Sequence, residues 1–278
     1  MRFCVLLIGC LLASDICAQE PPKTSSGLPE VPYVERQEKQ FAFYPGGKIG
    51  IEAGVPGNIR IIGWEKATVR MEAEKIVYYL APEQAKALVE QYPIRVRYTQ
   101  TSVTVRIASS PTHGATMEFN LTFYVPKDRT DISVKKSHGD FAVSSVNGWI
   151  EASVAEGSLE ADSLSGYFSA KTLRGDIRVK MSGNRWRGFE FAAVTQLGSI
   201  DLQLPLAFSA ALQLETRDGK VTVDYPPQIV DGEPEPPQIL IRKNSQSLKA
   251  TVGDGGPPIK LVTYSGDVKL SKLNVNTD

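Results

Sequence analysis

Short runs of alternating apolar and polar residues are the dominant pattern along this chain. They occur at 48–52, 58–62, 67–77, 94–98, 103–108 and 116–125. A period of two is typical of β-strands that bury one face. The segment 82–92 departs from this pattern, because Pro82 is followed by strong helix formers and Pro93 ends the run. The pattern predicts an all-β protein with one short inserted helix.

A fixed spacing of nine residues separates five glycines in the middle of the chain. The units that begin at these glycines, from Gly139 to Gly175, read GDFAVSSVN, GWIEASVAE, GSLEADSLS, GYFSAKTLR and GDIRVKMSG. The third position of every unit is apolar, as Phe141, Ile150, Leu159, Phe168 and Ile177. A short fixed period is the signature of a repeat architecture.

Each nine-residue unit fits one strand of about five residues followed by a turn, with glycine where the backbone needs a positive φ or a close approach. Stacking such units predicts a β-solenoid, or β-helix-like stack, in which each coil buries its neighbour. An antiparallel meander within a sandwich is the alternative interpretation. The number of strands per coil also stays open: two strands place residue i beside i+18, and three place it beside i+27.

Weaker copies of the same unit extend the repeat in both directions. They occur at 47–51, 57–61, 198–204, 219–223 and 266–270, and a proline-rich segment at 225–237 is predicted to be a surface loop between them. The sequence therefore predicts a single repeat domain over residues 41–278.

The N-terminus has the features of an export signal. Residues 1–18 combine a positive start with an apolar run at 4–13 and a small residue, Ala18, before the expected cleavage site. Residues 19–40 are polar and contain prolines, which predicts an exposed linker. Alternatively, residues 7–10 (LIGC) form a lipobox that tethers the chain through an acylated Cys10. The expected location is periplasmic, extracellular or at the cell surface.

Composition narrows the function classes. The 278 residues include 31 Lys+Arg and 31 Asp+Glu, and this balance argues against nucleic acid as the main partner. All three cysteines lie within the first 17 residues, so a chain cleaved after Ala18 contains none. This excludes a thiol enzyme, a disulfide scaffold and a cysteine-ligated metal centre. No segment after the first is apolar enough to span a bilayer.

Several stretches of sequence resemble a known family. They are GNIRIIGW at 57–64 with ATVRM at 67–71, YVP at 124–126, and TYSGDVKL at 263–270. In these stretches, and over nearly all of the mature chain, the sequence is similar to the bacterial putative-adhesin domain, a domain of unknown function. The resemblance implies an exported, right-handed β-solenoid-like protein. It implies no catalytic or binding residues.

The strongest candidate for acid–base chemistry is the pair Glu160 and Asp162. They lie two residues apart on one strand face, about 6.5–7 Å by strand rise, which could serve glycoside hydrolysis. With two strands per coil, however, Glu160 would stand beside Arg178 and Asp162 beside Lys180. Carboxylates neutralised in this way hold a raised pKa poorly, so cross-coil ion pairs are the favoured interpretation.

Other polar residues carry weaker signals. The Gly-Asp steps at Asp140, Asp176 and Asp267 lack the doubled glycine of calcium-binding nonapeptide repeats, so they are interpreted as turn openers. The two histidines, His113 and His138, are predicted to face solvent in turns, since no nucleophile elbow accompanies them. The triplet at 185–187 (RWR) is interpreted as a loop that could contact an anion.

Trp149 and Tyr167 are the predicted binding residues. They occupy the second position of alternate units, which should point outward, and with two strands per coil they would stack. Exposed stacked aromatics with a polar border can hold sugar rings or partner side chains. A purely structural cross-strand contact is the alternative.

The sequence therefore favours an exported, non-enzymatic protein of surface recognition or envelope scaffolding, with envelope glycans or surface proteins as partners. No catalytic residue, metal site or cofactor is predicted. A carbohydrate-active enzyme on a β-helix scaffold is the alternative, and a periplasmic regulatory partner is a third interpretation.

Overall fold

The computed structural model describes residues 31–109, 117–226, 239–242 and 244–273. The predicted signal peptide at 1–18 and the first part of the predicted linker, 19–30, lie outside these residues. The strands of the described chain assemble into two large mixed sheets that do not close on themselves. The protein is therefore all-β.

Ten strands form the first sheet, here called sheet A, and they are numbered in chain order. The order across sheet A is β1 (Tyr33–Ala42), β4 (Thr68–Val77), β7 (Met117–Pro126), β3 (Ile59–Trp64), β9 (Phe141–Ser144), β11 (Leu159–Asp162), β13 (Ile177–Lys180), β15 (Ile200–Leu204), β21 (Val268–Lys272) and β17 (Val221–Asp224).

Eleven strands form the second sheet, sheet B. The order across sheet B is β18 (Leu240–Arg242), β19 (Ser245–Val252), β16 (Ala210–Asp218), β20 (Pro258–Ser265), β14 (Gly188–Leu197), β12 (Ser165–Arg174), β10 (Asn147–Glu156), β8 (Asp131–His138), β2 (Lys48–Ala53), β6 (Ser102–Ile107) and β5 (Arg95–Thr99).

Successive nine-residue units alternate between the two sheets. Strands β9, β11 and β13 pair in parallel within sheet A, and β8, β10 and β12 pair in parallel within sheet B. Their registers place Ile150 opposite Phe168 and Leu159 opposite Ile177, eighteen residues apart. Adjacent strands of one sheet therefore come from alternate units of the repeat.

The apolar third positions of the units point into the interior. All five side chains are buried, and they belong to one continuous hydrophobic cluster: Phe141, Ile150, Leu159, Phe168 and Ile177. In sheet B the Phe168 ring stacks on Phe191, with ring centroids 4.5 Å apart. The period-two pattern thus assigned the inward face of these strands correctly.

Two of the repeat glycines show why the unit begins with this residue. Gly157 has φ of 143° and Gly175 has φ of 146°, values that side-chain-bearing residues rarely adopt. A Cβ added at Gly157 would collide with the carbonyl oxygen of Gly139, and one at Gly175 would collide with that of Gly157. Positive φ and close backbone approach therefore coincide, as the repeat predicted.

The terminal units do not stack in chain order. Strands β2 and β3 lie in different sheets, and each lies between strands that follow it in the chain: β2 pairs with β6 and β8, and β3 pairs with β7 and β9. At the other end, β20 inserts between β14 and β16, and β21 inserts between β15 and β17. Long-range pairing, and not sequence proximity, sets the neighbours of these strands.

The predicted start of the folded region at residue 41 is wrong. Strand β1 begins at Tyr33, inside the predicted linker of 19–40, and pairs antiparallel with β4 along its whole length. Ion pairs link it to β4 on both faces, with Arg36 2.8 Å from Glu74 on the exposed face and Glu35 2.8 Å from the buried Lys75 on the other. A polar edge strand has no apolar alternation, so the sequence pattern could not distinguish it from a linker.

The predicted helix at 82–92 is confirmed as α1 (Pro82–Gln91). It buries Ala85, Leu88 and Val89 and contacts β1 and β4. Within the residues that the structure describes, no helix combines the length and apolar character required to cross a membrane.

Candidate recognition surface

Trp149 and Tyr167 lie side by side on the outer face of sheet B. They occupy directly opposed positions of the parallel strands β10 and β12. Their ring centroids are 3.8 Å apart and their planes differ by 18°, which is a stacked arrangement. The predicted outward direction and the predicted stacking are therefore both present.

The stacking leaves less aromatic surface free than two isolated rings would offer, because each ring covers one face of the other. Trp149 keeps the larger share, with 47% of its surface exposed, whereas Tyr167 is half-buried. The carboxylate of Asp131, on the next strand, accepts a hydrogen bond from the Trp149 backbone N–H at 3.2 Å. Trp149 thus borders a short side chain on β8 and keeps about half of its surface exposed.

Carboxylates surround the aromatic pair. The indole Nε1 of Trp149 donates a hydrogen bond of 2.9 Å to Glu151 on the same strand. Glu190 of β14 stands opposite Tyr167 and is half-buried. Together with Asp131, these groups give the rings a border of hydrogen-bond acceptors.

A third exposed aromatic residue, Phe189, lies on the neighbouring strand β14, and the sequence did not indicate it. The register between β12 and β14 shifts at this point: Gly166 pairs with Gly188 and Tyr167 with Glu190, so Phe189 has no opposing residue. The extra residue makes a β-bulge, and the Phe189 side chain is 82% exposed. Bulges commonly re-aim a side chain beside a functional site. The signal in the sequence was the break in nine-residue spacing after Gly175.

We call Trp149, Tyr167 and Phe189 the aromatic patch. Its members lie on three adjacent strands of a parallel sheet whose hydrogen bonds fix their spacing. A contiguous exposed apolar surface with a polar rim is typical of a binding site.

A basic groove of about 610 Å³ lies further along the same face of sheet B. Its walls include the exposed side chains of Arg95, Arg106 and Lys135, together with Ser153. Arg106 is ion-paired with Glu52 at 2.9 Å. We call this feature the basic groove, and it begins four residues along β10 from Trp149.

The outer face of sheet A carries the carboxylate pair considered for acid–base chemistry. Glu160 stands opposite Arg178, with 3.4 Å between the carboxylate and the guanidinium, and Asp162 stands opposite Lys180. The Asp162 carboxylate also accepts a hydrogen bond from the Ser163 hydroxyl at 2.8 Å. The predicted pairing of Glu160 with Arg178 and of Asp162 with Lys180 is confirmed. Both carboxylates are therefore held next to a cation or a hydroxyl donor.

The Gly-Asp steps make a column of hydrogen bonds between neighbouring units. Asp140 accepts from the backbone N–H of Ser158, and Asp176 accepts from that of Ser199, each at 2.8 Å. Asp267 accepts from the backbone N–H of Lys220 at 2.8 Å. These carboxylates therefore satisfy backbone donors of the adjacent strand, a more specific role than the predicted turn opening.

The remaining polar candidates lie away from the aromatic patch. His138 is an exposed residue at the end of β8, with its Nε2 3.5 Å from Glu156, and His113 lies outside the described residues. The triplet at 185–187 lies in the connection between β13 and β14, as the loop interpretation predicted, but Trp186 is buried and packs edge-on against Phe191. That indole belongs to the core and cannot contact a ligand.

No family model matches the chain, and no curated protein matches it. Among solved structures, it is similar to a putative cell adhesion protein from Clostridium sporogenes, with 11% identity, a TM-score of 0.45, and 86% of this chain and 100% of that chain covered. A putative adhesin from Bacteroides fragilis shows 13% identity and a TM-score of 0.35, with 86% and 97% covered.

A third solved structure, a putative lipid binding protein from Parabacteroides distasonis, shows 10% identity and a TM-score of 0.27, with 87% and 97% covered. The adhesin descriptions agree with the family resemblance that the sequence motifs indicated. With identities and scores this low, none of these similarities carries an argument about a ligand or an activity.

Proposed function

We propose that this protein is an exported, non-enzymatic recognition protein of the cell envelope, built as a β-solenoid with two strands per coil. The parallel pairing at eighteen-residue spacing supports the solenoid, since each coil would contribute one strand to sheet A and one to sheet B. Recognition takes place on the outer face of sheet B, at the aromatic patch.

The observation that carries this proposal is the exposed aromatic patch on a hydrogen-bonded sheet. A folded chain gains nothing from leaving Phe189 82% exposed on a bulge or Trp149 47% exposed. A rigid strand platform also removes the entropic cost of ordering a loop around a ligand. Surface recognition accounts for both features.

The chemistry of the patch fits a ring that carries hydroxyl groups. The free face of Trp149 offers an apolar surface for the C–H face of a sugar ring. The carboxylates of Glu151 and Asp131, next to this ring, can accept hydrogen bonds from sugar hydroxyls. The ligand class of the proposal is therefore an envelope glycan.

Alanine substitutions at Trp149 and Tyr167, singly and together, test the proposal in a glycan-array and whole-envelope binding assay. Each substitution should weaken binding while the thermal midpoint of unfolding stays nearly unchanged. The matched control is Tyr264→Ala, which removes an exposed ring from the same face of sheet B at 41% exposure. Unchanged binding by the Trp149→Ala protein, or equal loss in the control, would contradict the proposal.

Export is a separate part of the proposal. Cleavage after Ala18 gives a chain that begins at Gln19, ahead of strand β1. Intact-mass measurement on protein recovered from the envelope should give a chain that begins at Gln19 and carries no acyl group. A diacylated or triacylated chain that begins at Cys10 would replace the soluble form with a lipid-anchored one and leave the recognition surface as described.

A further inference from the structure

Beyond a glycan in general, we infer that the ligand is an acidic polysaccharide, one whose sugar units carry carboxylate or sulfate groups. This inference rests on the proposed function, because it extends the ligand from the aromatic patch into the basic groove. Its basis is the placement of the two features on one continuous face of sheet B.

The distance between the two features suits an extended chain of sugars. Ser153 follows Trp149 by four residues on β10, which corresponds to about 13 Å along the strand. The two residues point to the same side of the sheet, since they are four positions apart and side chains alternate faces along a strand. One oligosaccharide can therefore contact the aromatic patch and the basic groove together, whereas a single sugar cannot.

The cations near Ser153 form a row across the sheet. Lys135 of β8 and Lys171 of β12 stand on either side of Ser153 in the registered strands, so two strand spacings, about 10 Å, separate them. Both side chains are exposed. Within the described residues, neither has a carboxylate within ion-pair distance.

The balance of charge changes sign between the two ends of the site. Asp131, Glu151 and Glu190 border the aromatic rings. At or beside the basic groove, Arg95, Lys135 and Lys171 have no carboxylate within 4.0 Å among the described residues. Glu52, which lines the groove opposite Lys135, is ion-paired with Arg106. A uniformly anionic strand of phosphates would be repelled at the aromatic end. A polysaccharide with neutral hydroxyl-bearing units and separated acid groups matches both ends.

The test compares one ligand with and without its charge. The probes are a partly methyl-esterified oligogalacturonate, in which neutral units separate the acidic ones, and its fully esterified form, the methyl ester. They are titrated into the mature chain by isothermal titration calorimetry at about 0.15 M salt. A sulfated galactan and single-stranded DNA are added as further arms. The partly esterified oligogalacturonate or the sulfated galactan should bind, and the uncharged methyl ester should bind about tenfold more weakly.

The protein variants separate the groove from the patch. The double variant Lys135→Ala/Lys171→Ala should weaken binding of the acidic glycan about tenfold and leave the methyl ester unaffected. The control, Lys249→Ala/Lys260→Ala, removes two exposed lysines from the same face of sheet B and should change neither. Trp149→Ala should weaken the binding of both the acidic glycan and the methyl ester.

The remaining outcomes contradict either the acidic-ligand inference or the proposed function. If the ester and the acid bind equally and only Trp149→Ala weakens them, the acidic-ligand inference is wrong and the proposed function stands. If Trp149→Ala changes neither, the proposed function fails at this surface. Binding of none of the glycans, or of the DNA in their place, also overturns the inference.

Discussion

The outer faces of the two sheets carry side-chain ladders with the same eighteen-residue spacing and different chemistry. On sheet A, Glu160 meets Arg178, and the two charges neutralise each other. On sheet B, Trp149 meets Tyr167, and the rings stack at 3.8 Å. The same backbone repeat thus produces one ladder whose charges neutralise each other and one ladder whose stacked rings stay partly exposed.

The two ladders differ because an ion pair and a stacked aromatic pair leave different amounts of binding surface free. An ion pair on an exposed strand uses the charge of both members, so little remains for a ligand. A stacked aromatic pair uses one face of each ring and leaves the outer face of the pair available, which here belongs to Trp149. Two ladders with the same spacing can therefore differ in whether their side chains are available to a ligand: the ion pair on sheet A is not, and the exposed part of Trp149 on sheet B is.

The largest effect on stability is expected at Gly157, where neighbouring units of the repeat come into close backbone contact. Gly157→Ala places a Cβ against the carbonyl oxygen of Gly139 at a φ of 143°. We expect the free energy of unfolding to fall by about 3 kcal/mol or more, because neither backbone can move without separating the strands. The measurement is chemical denaturation of the purified mature chain.

Gly183→Ala is the control for that substitution. Gly183 has a positive φ of 73° but no atom within 4 Å of the added Cβ, so only backbone strain is introduced. We expect a loss of about 1 kcal/mol there. Equal losses at the two positions would show that close stacking of the units is not what requires Gly157.

A second large effect on stability is expected in the interior of sheet B. There Lys136 occupies a position at which other strands carry a hydrogen-bonded threonine hydroxyl. The inward column that includes Thr195 and Thr263 donates hydroxyls to glycine carbonyls, at 3.0 Å to Gly175 and 2.7 Å to Gly198. Lys136 lies in the same column, is 3% exposed, and its Nζ has no hydrogen-bond partner among the described residues. Burial lowers the pKa of Lys136 to about 8, against the opposing attraction of Asp140 and Glu118.

Lys136→Met should therefore stabilise the protein at neutral pH, by about 1–3 kcal/mol. Because the folded pKa of about 8 lies below the ordinary lysine pKa of 10.5, the unfolded chain binds more protons between these values. The free energy of unfolding of the unsubstituted protein should rise as pH increases from about 8 to 10.5. The substitution should remove this rise.

The control for the lysine is its neighbour on β8, Lys135, which is exposed. Lys135→Met should leave the thermal midpoint and its pH dependence nearly unchanged. A loss of stability in Lys136→Met would show that the ammonium has a stabilising partner.

A smaller effect on stability is expected at the aromatic patch. Trp149→Ala and Tyr167→Ala should each lower the free energy of unfolding by about 1 kcal/mol or less, because the rings are partly exposed and their contact is a single cross-strand pair. The double variant should show a coupling of about 0.5 kcal/mol in thermal denaturation. A loss of several kcal/mol would mean that the rings are retained for stability and not for recognition.

The smallest effect is expected at the ion pair on sheet A. A double-mutant cycle with Glu160→Ala and Arg178→Ala should give a coupling energy of about 0.5 kcal/mol or less, which decreases as salt is added. Neither single variant should change glycan binding. A change in binding would place recognition on sheet A and reverse the comparison of the two faces.

Much of the repeat could be predicted from the sequence because its causes are local. The period of two assigned Phe141 and Leu159 to the interior, and the nine-residue spacing placed Trp149 opposite Tyr167 once two strands per coil were assumed. Helix α1 was predicted from its prolines and its helix formers. Strand β1 was not, since a polar edge strand is defined by the partner that it pairs with, here β4.

The sequence by itself determined which residues face inward, where the backbone must bear glycine, and which units can stack. Only the tertiary structure decided which units become neighbours, as in the insertion of β20 and β21 between earlier strands. It also decided that Phe189 projects from a bulge and that Lys135 and Lys171 face the same groove region as Ser153. The physical reason is that side-chain direction is set by the alternating backbone of one strand, whereas strand order and register are set by hydrogen bonds between residues far apart in the chain.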